Sequence, residues 1–413
     1  MTMRRKVVFL VCTGLGKINR GYESFSRECF DALNDIKDFK LYLIKGGGEK
    51  KESEIPILNF HRQSKFTLWL SRLVRKDPYI IEQFTFCFFL LPQIMRKKPA
   101  VIYYSDFILG TYLWHLRRLL KFKYKLLFSN GAPNPPPYKT EDHIQQLLPN
   151  YVFTGLQAET PEYKQTLLPY GINIDVKENI KRISQTEFLR KKFGLPVNKQ
   201  IIISVGTINM SHKRMDYVIK EFSKLETDKY FLLLLGQTDK ESAEVMDLAQ
   251  QLLPPESYLI KGVPGKEVNH YMAAADYFIL ASTNEGLPRV LPEALGNGLL
   301  PIVHDYVVTR ETLDIYGIFR DLTKQGCLHG ALTEVNQKGL TKVNIINYSY
   351  KNYSWDNLKM NYKKMIEKVL DDKYTVEGMR KSPNDKANPM ARYNNLQASE
   401  RGDSHSIPFA NQH

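Results

Sequence analysis

The residues with the clearest chemical potential lie in Ser282-Thr-Asn-Glu285-Gly286-Leu287-Pro288-Arg289-Val-Leu-Pro-Glu293-Ala-Leu-Gly296-Asn-Gly298. An apolar run ends near Leu280, so Glu285 falls in the loop after a buried strand. Pro288 or Pro292 can open a helix, where a missing N–H costs least. Glu293 then lies in the first turn and Gly298 past the end. Two carboxylates thus flank a helix start at the carboxyl edge of a parallel sheet, where such sheets bind ligands. An acid in a first turn also complements the helix dipole, and Glu293 taken alone reads that way. A second candidate is Gly14-Leu-Gly16-Lys-Ile-Asn-Arg20-Gly21, after the first apolar run. Glycines there let the backbone turn tightly and bring amides against a ligand at a helix start. Their spacing misses the dinucleotide fingerprint, and no Walker lysine-serine pair follows.

Both candidates need strands to carry them and helices to cover those strands. Buried strands are predicted at Val7–Val11, Leu41–Ile44, Val101–Tyr104, Leu126–Phe128 and Tyr151–Phe153, then at Ile201–Val205, Phe231–Leu235, Tyr277–Leu280 and Leu300–Val303. Continuously apolar strands are those buried on both faces. Amphipathic patterns at Lys213–Leu225 and Lys240–Leu252 supply covering helices, so the fold class is α/β with doubly wound parallel sheets. The alternation pauses between about Pro169 and Gln200 and then restarts, which predicts two domains, 1–170 and 171–353. A last helix, 354–371, carries Trp355, Leu358, Tyr362, Ile366 and Val369 on one stripe, with Ser354 as its N-cap. Residues 372–413 are poor in large apolar side chains and are expected to be disordered.

With 413 residues, 43% hydrophobic and 25% charged, the chain is neither collagen-like, mostly disordered nor a polytopic membrane protein. Its four cysteines show no metal-ligand spacing, which suits a reducing cytosol. The apolar run Val7–Cys12 is too short for a signal peptide, and Phe84–Met95 is too short to span a bilayer. The formal charge of +14 is concentrated: between His61 and Lys125 there are 13 Lys and Arg against Asp77, Glu82 and Asp106. Mixed with aromatic and aliphatic residues, this segment fits an anionic membrane, nucleic acid or an anionic substrate, or else a solvated basic face.

Glu285 and Glu293, with seven residues between them in EGLP…PEALGNGLLPIV, resemble the E-x7-E signature of retaining GT-B glycosyltransferases, family 4 especially. Leu168-Pro-Tyr-Gly-Ile-Asn173 is similar to the family's interdomain motif, and Val205-Gly206-Thr207 through Lys213-Arg214-Met-Asp216 to its lysine motif. Gly236, Gly262-Val263 and Ala275-Asp276 sit where the family has its later strands. The resemblance runs from about residue 5 to 370 and implies a GT-B fold, two facing Rossmann-like domains with a C-terminal helix that crosses back.

It also implies roles. Catalytic residues are Lys213 on the pyrophosphate, Glu285 beside the donor sugar, and His143 as the active-site histidine. The donor site comprises Gly14, Gly16, Gly206, Lys213, Arg214, Val263, Glu285, Gly286, Leu287 and Glu293, the last on the nucleotide ribose. Asp106, ending a strand of the first domain, is a further candidate. Two departures stand out: Thr207 occupies the usual arginine position, leaving Arg214 or His212 to replace it, and Ser129-Asn130-Gly131 follows a strand where many members carry histidine. No Asp-x-Asp occurs, so metal-independent chemistry and no cofactor are expected. The implied activity is transfer of a hexose-type sugar from a nucleoside-diphosphate sugar to a glycan or lipid-linked acceptor in cell-surface or exopolysaccharide synthesis. The expected setting is cytoplasmic, with peripheral contact to an anionic membrane and none to nucleic acid. The alternatives are another GT-B enzyme, such as a sugar-nucleotide epimerase, or a non-catalytic scaffold on an anionic surface.

Overall fold

The computed structural model of the chain describes residues 5–371 apart from 19 and 133, so the expected tail, 372–413, lies outside the described residues. The first sheet contains β1 (Lys6–Cys12), β2 (Phe39–Lys45), β3 (Glu54–Pro56), β4 (Val101–Tyr104), β5 (Lys125–Ser129), β6 (His143–Gln146) and β7 (Gln165–Leu167). They lie in the order β3-β2-β1-β4-β5-β6-β7. The second contains β8 (Gln200–Val205), β9 (Tyr230–Leu235), β10 (Tyr258–Lys261), β11 (Tyr277–Leu280), β12 (Pro301–His304) and β13 (Ile318–Arg320), in the order β10-β9-β8-β11-β12-β13. Neighbouring strands pair in parallel throughout both sheets. Each sheet reverses its winding beside its own first strand, at β1/β4 and β8/β11. Such switch points open a crevice at the carboxyl ends.

Strand side chains alternate between faces. In β1, Val8 and Leu10 join one apolar cluster while Phe9 and Val11 join the other. Helices α1 (Gly21–Leu33), α2 (Lys65–Val74), α3 (Pro78–Lys97), α4 (Phe107–Leu119) and α5 (Pro149–Gln157) belong to this first half. The second sheet encloses one large core that includes Ile201, Ile203, Leu232, Leu234, Phe278 and Ile302.

One predicted strand is wrong. Tyr151–Phe153 lies in α5, because Pro149 stands at the start of the helix, where its fixed φ suits the first turn. The strand at that point of the sheet is His143–Gln146, whose polar residues hid it. Its two glutamines are buried but satisfied: Gln145 donates to Leu168 O and Tyr362 Oη, both at 2.8 Å, and Gln146 to Gln165 Oε1 at 2.7 Å.

The chain passes between the two sheets twice, and the two passages pair. Ile172 N donates to Tyr353 O at 2.8 Å and Trp355 N to Ile172 O at 3.2 Å. The crossover helix Trp355–Leu370 then lies on the first domain, capped by Ser354, whose Oγ accepts from Asn357 N at 3.3 Å. Tyr362 donates to Pro169 O at 2.7 Å, and Lys359 and Lys363 reach Asp35 and Asp38 at 2.7 and 2.9 Å. Gly171 is a glycine because a Cβ there would lie 2.5 Å from the Trp355 ring. Gly171→Ala should therefore lose about 1–3 kcal/mol to overpacking, read as a lower urea midpoint. An unchanged midpoint would mean that the indole yields.

Candidate active site

The loop after β8 is fixed before any of its side chains meets the crevice. Met210 N and Ser211 N donate to Glu241 Oε2 at 3.0 and 2.8 Å, and Lys213 N to Asn209 Oδ1 at 2.8 Å. Lys213 then folds back over Gly206, where a Cβ would come within 2.9 Å of the lysine's stem. Its Nζ lies 2.5 Å from Glu285 Oε1, in the loop after β11, and His212 Nε2 lies 3.5 Å from Glu285 Oε2. The lysine and glutamate side chains are only 14% and 10% exposed, so their attraction is less screened than that of a surface pair. The β8/β11 switch point therefore brings Gly206, Lys213 and Glu285 together.

Arg214 does not serve as the replacement cation. Its Nη1 donates to Leu322 O at 2.8 Å and Ala281 O at 3.3 Å, and its guanidinium sits 4.8 Å from the Tyr217 ring centre. These contacts tie it to the backbone behind the loop. His212 remains beside Glu285, its side chain half-exposed.

Past Glu285, Gly286 O accepts from Tyr151 Oη at 2.9 Å, while the Leu287 side chain is buried in the cluster of the first domain. Among the described residues no acceptor is recorded for the Gly286 and Leu287 amides. Arg289, only 5% exposed, spans the domains: Nη2 lies 2.7 Å from Glu28 Oε1 on α1, and Nη1 donates to Gly171 O at 3.0 Å. The same guanidinium lies 3.8 Å from Glu293 Oε1. Glu293 is on the helix Val290–Gly296, and desolvation pushes its carboxyl up to about 7, against the lowering pull of Arg289 and with a push from Glu28. Gly298, with φ +73°, turns the chain after that helix. Val263 follows β10 and is packed, half-buried, against the second core.

The first domain departs more from expectation. His143 opens β6 and lies at the amino end of the sheet, opposite the crevice. Its Nε2 meets Thr166 Oγ1 at 2.7 Å, and burial depresses its pKa to about 3, so it is a neutral core residue and not an active-site histidine. Gly14 and Gly16 have packing reasons inside the domain. A Cβ on Gly14 would lie 2.2 Å from Glu23 Oε1, and one on Gly16, at φ +90°, 2.3 Å from Gly47 O. Asp106 caps α4 by accepting from Leu109 N at 3.0 Å and also accepts from Tyr79 Oη. Burial raises its carboxyl above the ordinary range. Arg62 stacks on Tyr79 at 4.3 Å and donates to Glu82 Oε2 at 2.6 Å. This group, half-buried apart from the fully buried Glu82, lines the carboxyl edge of the first sheet.

Sequence reasoning missed the residues that join the domains at the site: Glu28, Asn150, Tyr151, Arg289, Tyr306 and Glu311. Asn150 N donates to Glu311 Oε2 at 3.0 Å, and burial pushes Glu311 up to about 7. The buried Tyr306 hydroxyl lies beside Glu285, whose charge is among those that raise its pKa, after burial. Only Arg289 carried a usable signal, as the single cation inside the E-x7-E segment.

Residues 185–325 match the family described as Glycosyl transferases group 1. Residues 185–325 thus carry a group 1 glycosyltransferase domain, within a chain whose two-sheet architecture is the GT-B fold. The chain is 25% identical over 344 residues to Protein CapJ of Staphylococcus aureus, spanning 79% of this chain and 81% of that protein. It is 26% identical over 134 residues to a putative teichuronic acid biosynthesis glycosyltransferase, TuaC, of Bacillus subtilis (strain 168), a match covering 32% of this chain and only 31% of TuaC. Among solved structures, Anabaena Alr3699/HepE in complex with UDP and glucose superposes with a TM-score of 0.66 at 12% identity, over 88% of this chain and all of that one.

Proposed function

We propose that this chain transfers a hexose-type sugar from a nucleoside-diphosphate sugar to a glycan or lipid-linked acceptor, with retention at the anomeric carbon, in the assembly of a cell-surface polysaccharide at the cytoplasmic side of the membrane. The observation that carries this reading is the Lys213–Glu285 pair at the carboxyl edge of the second sheet, with Glu293 on the next helix. An ammonium has three N–H donors, so Lys213 can meet Glu285 and a phosphate oxygen together. As the sugar–phosphate bond breaks, negative charge grows on the departing diphosphate. A preplaced cation there favours the transition state over the ground state without a metal ion. Glu285 then lies beside the sugar, with the amides of Gly286 and Leu287 close to it, and Glu293 accepts from ribose hydroxyls. Two likenesses support the donor class and setting: HepE binds UDP and glucose, and TuaC is named for teichuronic acid biosynthesis. The test is transfer from a panel of UDP-, GDP- and ADP-sugars to lipid-linked and glycan acceptors, with the anomer of the product read by NMR. No transfer from any donor would sink the reading, and an inverted anomer would sink retention.

Glu293→Gln separates the ribose role from dipole capping. The carboxyl is held near 7, above the ordinary carboxylate value, so folding favours its protonated form. Stability is then lost as pH rises from the ordinary carboxylate value through about 7, and the glutamine variant escapes that loss. The variant should melt above the parent at about pH 8 and level with it near pH 4. It should also bind the nucleotide more weakly by about 1.5–3 kcal/mol, the worth of a hydrogen bond to a charged acceptor. Nucleotide affinity of the parent should rise through neutral pH as the carboxylate forms, and that of the variant should stay flat. Equal affinities at high pH would return Glu293 to dipole capping.

A further inference from the structure

Helix α2 is turned inside out. Its buried positions are Thr67 and Ser71, whereas Phe66, Leu68, Trp69, Leu73 and Val74 are exposed, Trp69 at 58% and Leu73 at 66%. The inward hydroxyls are satisfied locally, Thr67 with Ser64 Oγ at 2.7 Å and Ser71 with Leu68 O at 2.8 Å. The apolar surface continues on both sides. The Phe66 ring contacts Phe60 at 5.1 Å and Trp69 at 5.9 Å, and the outer stripe of α3 exposes Phe84, Phe88 and Met95. Large exposed apolar patches on a folded chain mark sites of contact.

The charges around this face have one sign. Lys65, Arg72, Arg75 and Lys76 are exposed, and among the described residues no hydrogen bond or ion pair is recorded for the side chain of any of the four. Of the nearby acids, Glu82 is fully buried against Arg62, and Asp77 caps α3 by accepting from Tyr79 N at 2.7 Å. Protein–protein interfaces are depleted in lysine. Exposed Trp, Phe and Leu beside uncommitted Lys and Arg is the pattern of a helix lying in a lipid interface.

We propose that α2, with the outer stripe of α3, seats the enzyme on an anionic lipid surface, Phe66, Trp69 and Leu73 reaching the acyl boundary and Lys65, Arg72, Arg75 and Lys76 lying at the phosphate level. No helix among the described residues is long and apolar enough to cross a membrane, so this is contact from one side. The face adjoins the crevice. Arg62 precedes α2 and Tyr79 follows it, and these two stack at the carboxyl edge of the first sheet. The inference goes beyond the sugar-transfer reading and stands whichever donor or acceptor is used.

The experiment is sedimentation of the full chain with phosphatidylglycerol-containing vesicles and with pure phosphatidylcholine vesicles, together with tryptophan emission. The parent should bind only the anionic vesicles, more weakly as salt screens the charges, with a blue shift that Trp69→Phe reduces. At roughly fivefold per basic residue, Arg72→Glu/Arg75→Glu/Lys76→Glu should lose at least about a hundredfold in affinity. Phe66→Ser/Trp69→Ser/Leu73→Ser should lose about as much through apolar transfer. All six positions are exposed, so both variants should keep the parent's circular dichroism, and their donor binding serves as the control on the site. No binding at low salt, or binding indifferent to either triple change, overturns the proposal. So does self-association of the lipid-free parent that the serine variant abolishes, which would give the face to a second copy of the chain.

Discussion

A Lys213→Ala enzyme should turn over about a hundred to a thousandfold more slowly than the parent, as when one preorganised donor to a developing anion is removed. Its fold should survive. The side chain's recorded partner is Glu285, and the contact that shapes the loop, Lys213 N to Asn209 Oδ1, is made by the backbone. Nucleotide affinity should fall much less than kcat, because the charge that Lys213 meets grows as the bond to the sugar breaks. Lys213→Arg should rescue only partly: the stem crosses Gly206 within 2.9 Å of a Cβ position, and a planar fork is a poor substitute for a compact ammonium there. Unchanged kcat in a folded alanine variant would remove Lys213 from the diphosphate site. An equal loss of kcat and nucleotide affinity would make it a ground-state binder only.

The parts of the molecule legible in the sequence are those whose pattern is local. β9 and β11 are apolar through their length and β8 through Ile201–Ile203 because both faces are buried, and the loops after β8 and β11 follow from where those runs end. Parallel pairing beside the switch point then brings Lys213 to Glu285. β6 was illegible because its sequence is His-Ile-Gln-Gln, and those glutamines are tolerated only through partners remote in sequence, such as Tyr362, 217 residues away. His143 misled for the same reason: a histidine bonded to Thr166 across a strand pair looks, in sequence, like one poised in a loop. Arg214 misled because its carbonyl partners, Ala281 and Leu322, lie on elements far along the chain. The interdomain contacts of Arg289 and Tyr151 are set by how two separately folded halves meet, which no periodicity within either half encodes.

That meeting is where the second large effect is expected. Trp355→Ala should cost about 3–5 kcal/mol, the usual toll of emptying a buried aromatic site. The indole is 5% exposed, its ring centre 4.9 Å from Tyr362 and 6.0 Å from Phe25. Gly171 presses against it with no side chain to relax into the void, so the cavity should persist. Its Nε1 also donates to Glu28 Oε2 at 3.3 Å, on the carboxylate that holds Arg289. Losing the indole therefore loosens the link between α1 and the helix bearing Glu293 as well as the seat of the crossover helix. The melting temperature should fall by roughly 10 °C, and donor affinity should drop below what lost stability alone explains. Trp355→Phe keeps a ring over Gly171 but loses the donor to Glu28, and should sit near the parent in stability while showing part of the affinity loss. Removing the chain from Trp355 onward should be worse, because Phe25, Tyr170 and Leu358's neighbours on α1 would then face water. An alanine variant that melts with the parent would show that the crossover helix is dispensable to the first domain. One that melts low but binds donor as tightly would confine Trp355 to packing, with no part in coupling the two halves of the site.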